Sequence, residues 1–146
     1  VPRRLVYLDS SAYAKLVLEQ SGHVELRREL AEWSGYVSSA LLAVEAVRAC
    51  ARYGVAYANE ARAWLEGIAL IPIDDPVLDE ATSLEPPALR SLDALHLATA
   101  LSIRDDLGAF IAYDERLSSA AEECGLEVVT PDTRSSPMPW QRTGRG

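Results

Sequence analysis

Cysteine is scarce: Cys50 and Cys124 are the only two, and they lie far apart in the chain. That excludes a disulfide framework, a thiolate metal cage and a Cys-x-x-Cys redox pair. Each falls in a helix-like segment, so both are expected to be reduced, buried and inert. Lysine is scarcer still, with Lys15 alone among 14 basic residues, which face 22 acidic ones for a net charge of −8. This balance excludes a protein that coats nucleic acid through a broad basic surface. No stretch approaches the roughly 18 apolar residues of a membrane-spanning helix, so no membrane is expected. No charged-then-apolar leader precedes the first strand-like run, which makes the cytoplasm the expected location. No internal repeat is visible.

What is present suits one folded domain. At 146 residues and 49% hydrophobic the chain can bury one full core. The bases are nearly all arginine, whose planar fork makes two-pronged contacts to phosphate or carboxylate. A few well-placed arginines could therefore still serve a nucleic-acid substrate.

Short apolar runs alternate with amphipathic ones. Residues 4–8 read as a first buried strand, and Ser10 or Ser11 as the cap of a helix reaching to about Glu19. After Ser21-Gly22 a second helix is expected over 23–33, then a short strand at 36–38 and a long helix over 40–53. Gly54 ends that helix and another covers 56–65. Residues 68–73 read as a strand, with Pro72 favouring its end or an edge. Asp74 or Asp75 caps a helix carrying Pro76 in its first turn, and Pro86-Pro87 marks a loop. A helix over 91–105, a strand over 109–113, a helix over 115–124 and a strand over 127–130 complete the pattern. The class implied is α/β, with a mainly parallel central sheet flanked by helices. Residues 1–132 are expected to form the domain. Residues 133–146, with Arg134, Arg142 and Arg145, lose both periodicity and apolar content and read as a flexible tail.

Four carboxylates stand out against this pattern. Asp9 closes the run Leu5-Val6-Tyr7-Leu8, Glu45 interrupts the stretch from Ala40 to Val44, Asp93 opens Ala94-Leu95-His96-Leu97-Ala98, and Asp114 closes Phe110-Ile111-Ala112-Tyr113. Each has an ordinary explanation: Asp9 as a helix cap, Glu45 paired with Arg48 one turn on, Asp93 at a helix amino end, Asp114 in a turn. Four acids beside core-like sequence are costly unless something positive compensates them, which points to a shared cation. Ligands with oxygen only, no thiolate and just two histidines (His23 and His96) favour a hard divalent ion, Mg²⁺ or Mn²⁺. His96, three positions after Asp93, could touch a phosphate or relay a proton, but reads more readily as a satisfied core histidine. His23, beside Gly22, reads as surface.

The segments Leu8-Asp9-Ser10-Ser11-Ala12, Ser38-Ser39 with Glu45 following, Leu92-Asp93-Ala94-Leu95-His96-Leu97-Ala98-Thr99-Ala100 and Tyr113-Asp114-Glu115-Arg116-Leu117 together resemble a PIN-domain ribonuclease. More narrowly, the chain resembles the VapC-type toxin half of a VapBC toxin–antitoxin pair, over about residues 4–131. Many members carry a threonine or serine two residues before the fourth acid, where this chain has Ala112. Ser10, Ser11 and Ser38 are the neighbouring hydroxyl candidates.

The resemblance implies an endoribonuclease in which a metal-activated water cleaves RNA to 5′-phosphate and 3′-hydroxyl ends. Asp9, Glu45, Asp93 and Asp114 would be its catalytic acids, with Ser10, Ser38 and His96 in support. Asp9 and Asp93 would hold Mg²⁺ (or Mn²⁺) directly, and Glu45 and Asp114 directly or through water. It also implies a homodimer and a cognate antitoxin protein, for which Leu16, Val17, Trp33, Tyr53, Tyr57 and Trp64 could line an apolar groove. A catalytically silent interaction module is one alternative. A phospho-aspartate protein is another, but a dehalogenase wants an acid at the place of Ser11, and a receiver wants a lysine after a late strand, where Lys15 cannot serve.

Overall fold

Val6, Tyr7 and Leu8 point alternately to opposite sides of β1 (Arg3–Leu8), and all three are buried. A strand covered on both faces belongs at the centre of a parallel sheet. In the computed structural model, which describes residues 3–132, β1 pairs in parallel with β2 (Trp33–Ser39) on one side and β4 (Leu107–Ile111) on the other. With β3 (Ala69–Ile71) and β5 (Val128–Val129) at the edges, the five-stranded order is β3-β2-β1-β4-β5. The connections carry helices α1 (Ser10–Val17), α2 (His23–Leu30), α3 (Leu42–Ala51), α4 (Val55–Trp64), α5 (Asp75–Ser83), α6 (Ser91–Ser102) and α7 (Glu115–Glu123).

Alternation along the strands divides the core. Val6, Leu8, Ala109 and Ile111 pack with Leu16 of α1 and Leu26 and Leu30 of α2. Tyr7 and Phe110 face the other side, with Leu97 of α6 and Leu117 of α7, and their rings stack at 5.0 Å between centroids. Each fully buried aliphatic side chain stabilises by roughly 1.5–3 kcal/mol. A third cluster of Tyr13, Val17, Leu42, Ala46, Cys50 and Ala61 joins α1 to the α3–α4 pair.

Several boundaries depart from expectation, each for a packing reason. The second helix stops at Leu30 and β2 begins at Trp33, because Trp33 pairs with Arg3 and its indole occupies the space over Gly108. A Cβ at Gly108 would lie 2.2 Å from that ring, so only glycine fits there. β4 starts at Leu107 and leaves the sheet after Ile111, so Ala112 to Asp114 form a loop rather than a strand end. α3 begins at Leu42, which puts Glu45 in its first turn and not mid-helix. The cap of α1 is Asp9 rather than a serine. α6 ends at Ser102, short of residue 105. Cys50 is buried, but Cys124 sits half-buried at the C-cap of α7; both thiols are free. The expected tail, 133–146, lies outside the described residues. Among the described residues no helix is long and apolar enough to cross a membrane.

Candidate active site

The chain lays β2 and β3 on one side of β1 and then returns to place β4 against the other side, so strand order reverses between β1 and β4. Parallel sheets of this kind bind ligands outside the carboxyl ends of the strands at such a switch point. Asp9 follows β1 directly, and Asp114 caps the helix that follows β4.

Asp9 is only 4% exposed. Its Oδ1 accepts from the Ala12 N–H at 2.9 Å, and the Ser11 hydroxyl lies 2.8 and 2.9 Å from its two oxygens. Burial nevertheless pushes its pKa up to about 6, with the neighbouring Asp93 charge adding to the rise and the hydrogen bonds opposing it. The fold therefore holds an acid whose charged form it disfavours. A cation would relieve that cost.

Asp93, in the first turn of α6, is 16% exposed and accepts from Arg90 Nε at 2.9 Å. Asp114 accepts from the Leu117 N–H at 3.0 Å, and its other oxygen lies 4.0 Å from Arg90 Nη2. One guanidinium thus faces two acids, and its pKa is raised first by the bond to Asp93.

Glu45 pairs with His96 rather than with Arg48: His96 Nε2 lies 2.6 Å from its Oε1. The same ring contacts the Tyr7 hydroxyl through Nδ1 at 2.7 Å. Carboxylate oxygens accept, so in the neutral ring Nε2 donates to Glu45 and Nδ1 accepts from the Tyr7 hydroxyl. Burial raises the Tyr7 pKa far above its ordinary value and keeps its proton in place. With both nitrogens engaged and 1% exposure, His96 is a satisfied core histidine that aims Glu45.

Ser38 is buried and donates to the Leu8 carbonyl at 2.6 Å, fixing the end of β1 just before Asp9. Ser10 is the half-buried first residue of α1; the hydroxyl against Asp9 comes from Ser11. Ala112 is fully buried in the core and supplies no hydroxyl. Sequence reasoning misses Tyr7 and Arg90. The three-residue spacing of Arg90 and Asp93 was a usable signal, whereas Tyr7 reads only as a strand residue.

Among the described residues, no three acidic, histidine or cysteine side chains close on one point as a formed metal cage does. A guanidinium lies instead between Asp93 and Asp114. The donor chemistry still fits a hard divalent ion: carboxylate oxygens, no thiolate, and an imidazole already occupied.

The PIN domain family model matches residues 6–123. Ribonuclease VapC47 of Mycobacterium tuberculosis is 40% identical over 132 residues, covering 87% of this chain and 97% of its own. Ribonuclease VapC46 of the same organism is 41% identical over 126 residues, covering 86% and 97%. In fold, the chain resembles M. tuberculosis VapC20, described as a Sarcin-Ricin loop cleaving toxin, at a TM-score of 0.68 and 18% identity, over 86% of this chain and 99% of that one. It also resembles a chain of a toxin–antitoxin complex from Klebsiella pneumoniae, at 0.66 and 20% identity, over 86% and 97%. The class these matches define is the PIN-domain nuclease. The chain belongs to the PIN-domain family and, within it, to the VapC ribonucleases.

Proposed function

We propose that this protein is the toxin of a toxin–antitoxin pair, an endoribonuclease that requires a divalent metal to hydrolyse RNA phosphodiester bonds. Asp9 carries the reading: a buried carboxylate with its pKa pushed up to about 6, set beside Asp93 at the switch point, is explained by a cation and not by capping alone. Asp9 and Asp93 would hold Mg²⁺ or Mn²⁺ directly, and Glu45 and Asp114 directly or through water. Once bound, the ion supplies an acidified water and neutralises charge developing on the phosphoryl oxygens. The chain's own part is positioning. Ser11 and the Ala12 N–H orient Asp9, and His96, set by Tyr7, aims Glu45, which can hold a water or take up its proton. Rupture of the P–O3′ bond would leave the 5′-phosphate and 3′-hydroxyl ends.

The partner we propose is an antitoxin protein, a reading supported by the fold likeness to a chain solved in a toxin–antitoxin complex. Its segment would lie in an apolar cavity of about 510 Å³ lined by Leu16, Leu30, Tyr36, Trp64 and Ile68. Of the residues expected from sequence, Leu16 and Trp64 line it. Val17 and Trp33 are instead buried in the core, and Tyr53 and Tyr57 stand exposed where α3 turns into α4. A homodimer is the assembly expected, and sedimentation tests it. The decisive experiment is incubation of purified protein with total RNA in Mg²⁺, Mn²⁺ or EDTA. Discrete cleavage only with metal is expected, and undiminished site-specific cleavage in EDTA overturns the reading.

A further inference from the structure

Arg90 sits at the N-cap of α6, where side chains usually accept from the free N–H groups of the first turn. Arginine has no acceptor, so capping does not explain it. Its side chain is 71% exposed, yet it is held at 2.9 Å from Asp93 and 4.0 Å from Asp114, two of the acids assigned to the metal. RNA is a polyanion, and it needs a positive group beside these acids. The guanidinium also stands between carboxylates that do not close into a metal cage in this arrangement. Coulomb attraction cannot satisfy both cations at once: an ion drawn to Asp93 and Asp114 weakens the hold of both on Arg90.

We propose that Arg90 is a two-state residue of the active site: a built-in counter-ion to Asp93 and Asp114 before metal binds, and a ligand of the RNA phosphate after it. This rests on the metal-dependent ribonuclease reading above. When the divalent ion enters, the guanidinium gives up the two carboxylates. Its planar fork, already beside these acids and largely in solvent, then turns to the scissile or an adjacent phosphodiester. Metal entry and substrate capture are thereby coupled through one side chain.

The two roles give opposite signs in one variant. Arg90→Gln should bind Mn²⁺ about two- to fivefold more tightly, the scale of an exposed ion pair, as read by titration of free Mn²⁺ without RNA. The same variant at saturating Mn²⁺ should lose about ten- to a hundredfold in kcat/KM, mostly through KM, as expected for one charge-assisted contact. Arg90→Lys keeps the charge but not the fork. It should restore the wild-type Mn²⁺ affinity while recovering only part of the KM. Arg62→Gln, on α4 and outside the acid cluster, controls for the loss of one positive charge and should change neither. Mn²⁺ affinity that is unchanged or weaker in Arg90→Gln overturns the counter-ion role, and wild-type KM overturns the phosphate role, in both cases with the ribonuclease reading intact. Wild-type protein that neither binds Mn²⁺ nor cleaves RNA overturns both together.

Discussion

Glu45 and His96, 51 positions apart, meet at 2.6 Å in a largely buried pair, and the Tyr7 hydroxyl closes the line behind the ring at 2.7 Å. An acid on a helix surface would sample several rotamers, but this one is aimed. Replacing His96 with alanine leaves a cavity and strips Glu45 and Tyr7 of their partner, so a loss on the order of 2–4 kcal/mol is expected, together with activity. His96→Gln keeps a donor and should recover part of the cleavage rate, while Tyr7→Phe should cost about 1 kcal/mol. Thermal melts and RNA cleavage of the three variants check this. Equal activity in His96→Ala and wild type would show that Glu45 needs no aiming.

Asp9 gives a pH dependence of definite sign. Folded, it keeps its proton to about pH 6, whereas unfolded it titrates near 3.8. Between those values the folded state binds more protons, so stability falls as pH rises through the window and stays reduced above it. The cost is on the order of 2–3 kcal/mol at about pH 7.5. Asp9→Asn keeps the acceptor for Ala12 and removes the charge. It should raise the melting temperature of metal-free protein at about pH 7.5 and leave it almost unchanged near pH 4. Added Mn²⁺ should stabilise the wild type and not the variant. A lower melting temperature for Asp9→Asn at both pH values would show that capping, not charge, dominates at this position.

The parallel α/β sheet, the order of its elements and the starts of most helices are legible in the sequence, because short apolar runs and capping residues act locally. Asp74 with Pro76 marks a helix start whatever surrounds it, and the structure uses both as expected. Trp33 was not legible: its strand pairing depends on the space over Gly108, which is distant in sequence and adjacent only in the sheet. The acids could be picked out because burial beside apolar runs is costly in any fold. Their partners could not. Glu45 reaches His96 across two helices, and Arg90 reaches Asp114 from a different element, so periodicity along one segment carries neither contact. Arg90 and Asp93 stand at helical spacing, which is the one signal of their contact along the chain.

Removing residues 133–146 tests the proposed division of the chain. The described residues contain the complete five-stranded sheet and all three core clusters. Truncation after Asp132 should therefore cost well under about 1 kcal/mol, as changes away from the core usually do. Any deficit should appear in RNA affinity, because Arg134, Arg142 and Arg145 are the only charged side chains of that segment. A drop in melting temperature of several degrees would show that the segment docks on the domain.

Amide substitutions should rank the four acids. Asp9 is buried and Asp93 nearly so, and the structure sets their charges against each other. Losing either removes charge at the point where a cation is most needed, so Asp9→Asn and Asp93→Asn should each abolish cleavage. Asp114 is 41% exposed, caps α7 through one oxygen, and has an alanine two residues before it where a hydroxyl could have supported it. Asparagine keeps the cap, and Asp114→Asn should retain measurable cleavage when Mn²⁺ is raised. Glu45→Gln should fall between these, because His96 can still hold the amide oxygen while the negative charge is gone. Circular dichroism and melting confirm that each variant folds before rates are compared across metal concentrations. If Asp114→Asn is as inactive as Asp9→Asn at every concentration, the acids act as one coupled unit and no ranking among them holds.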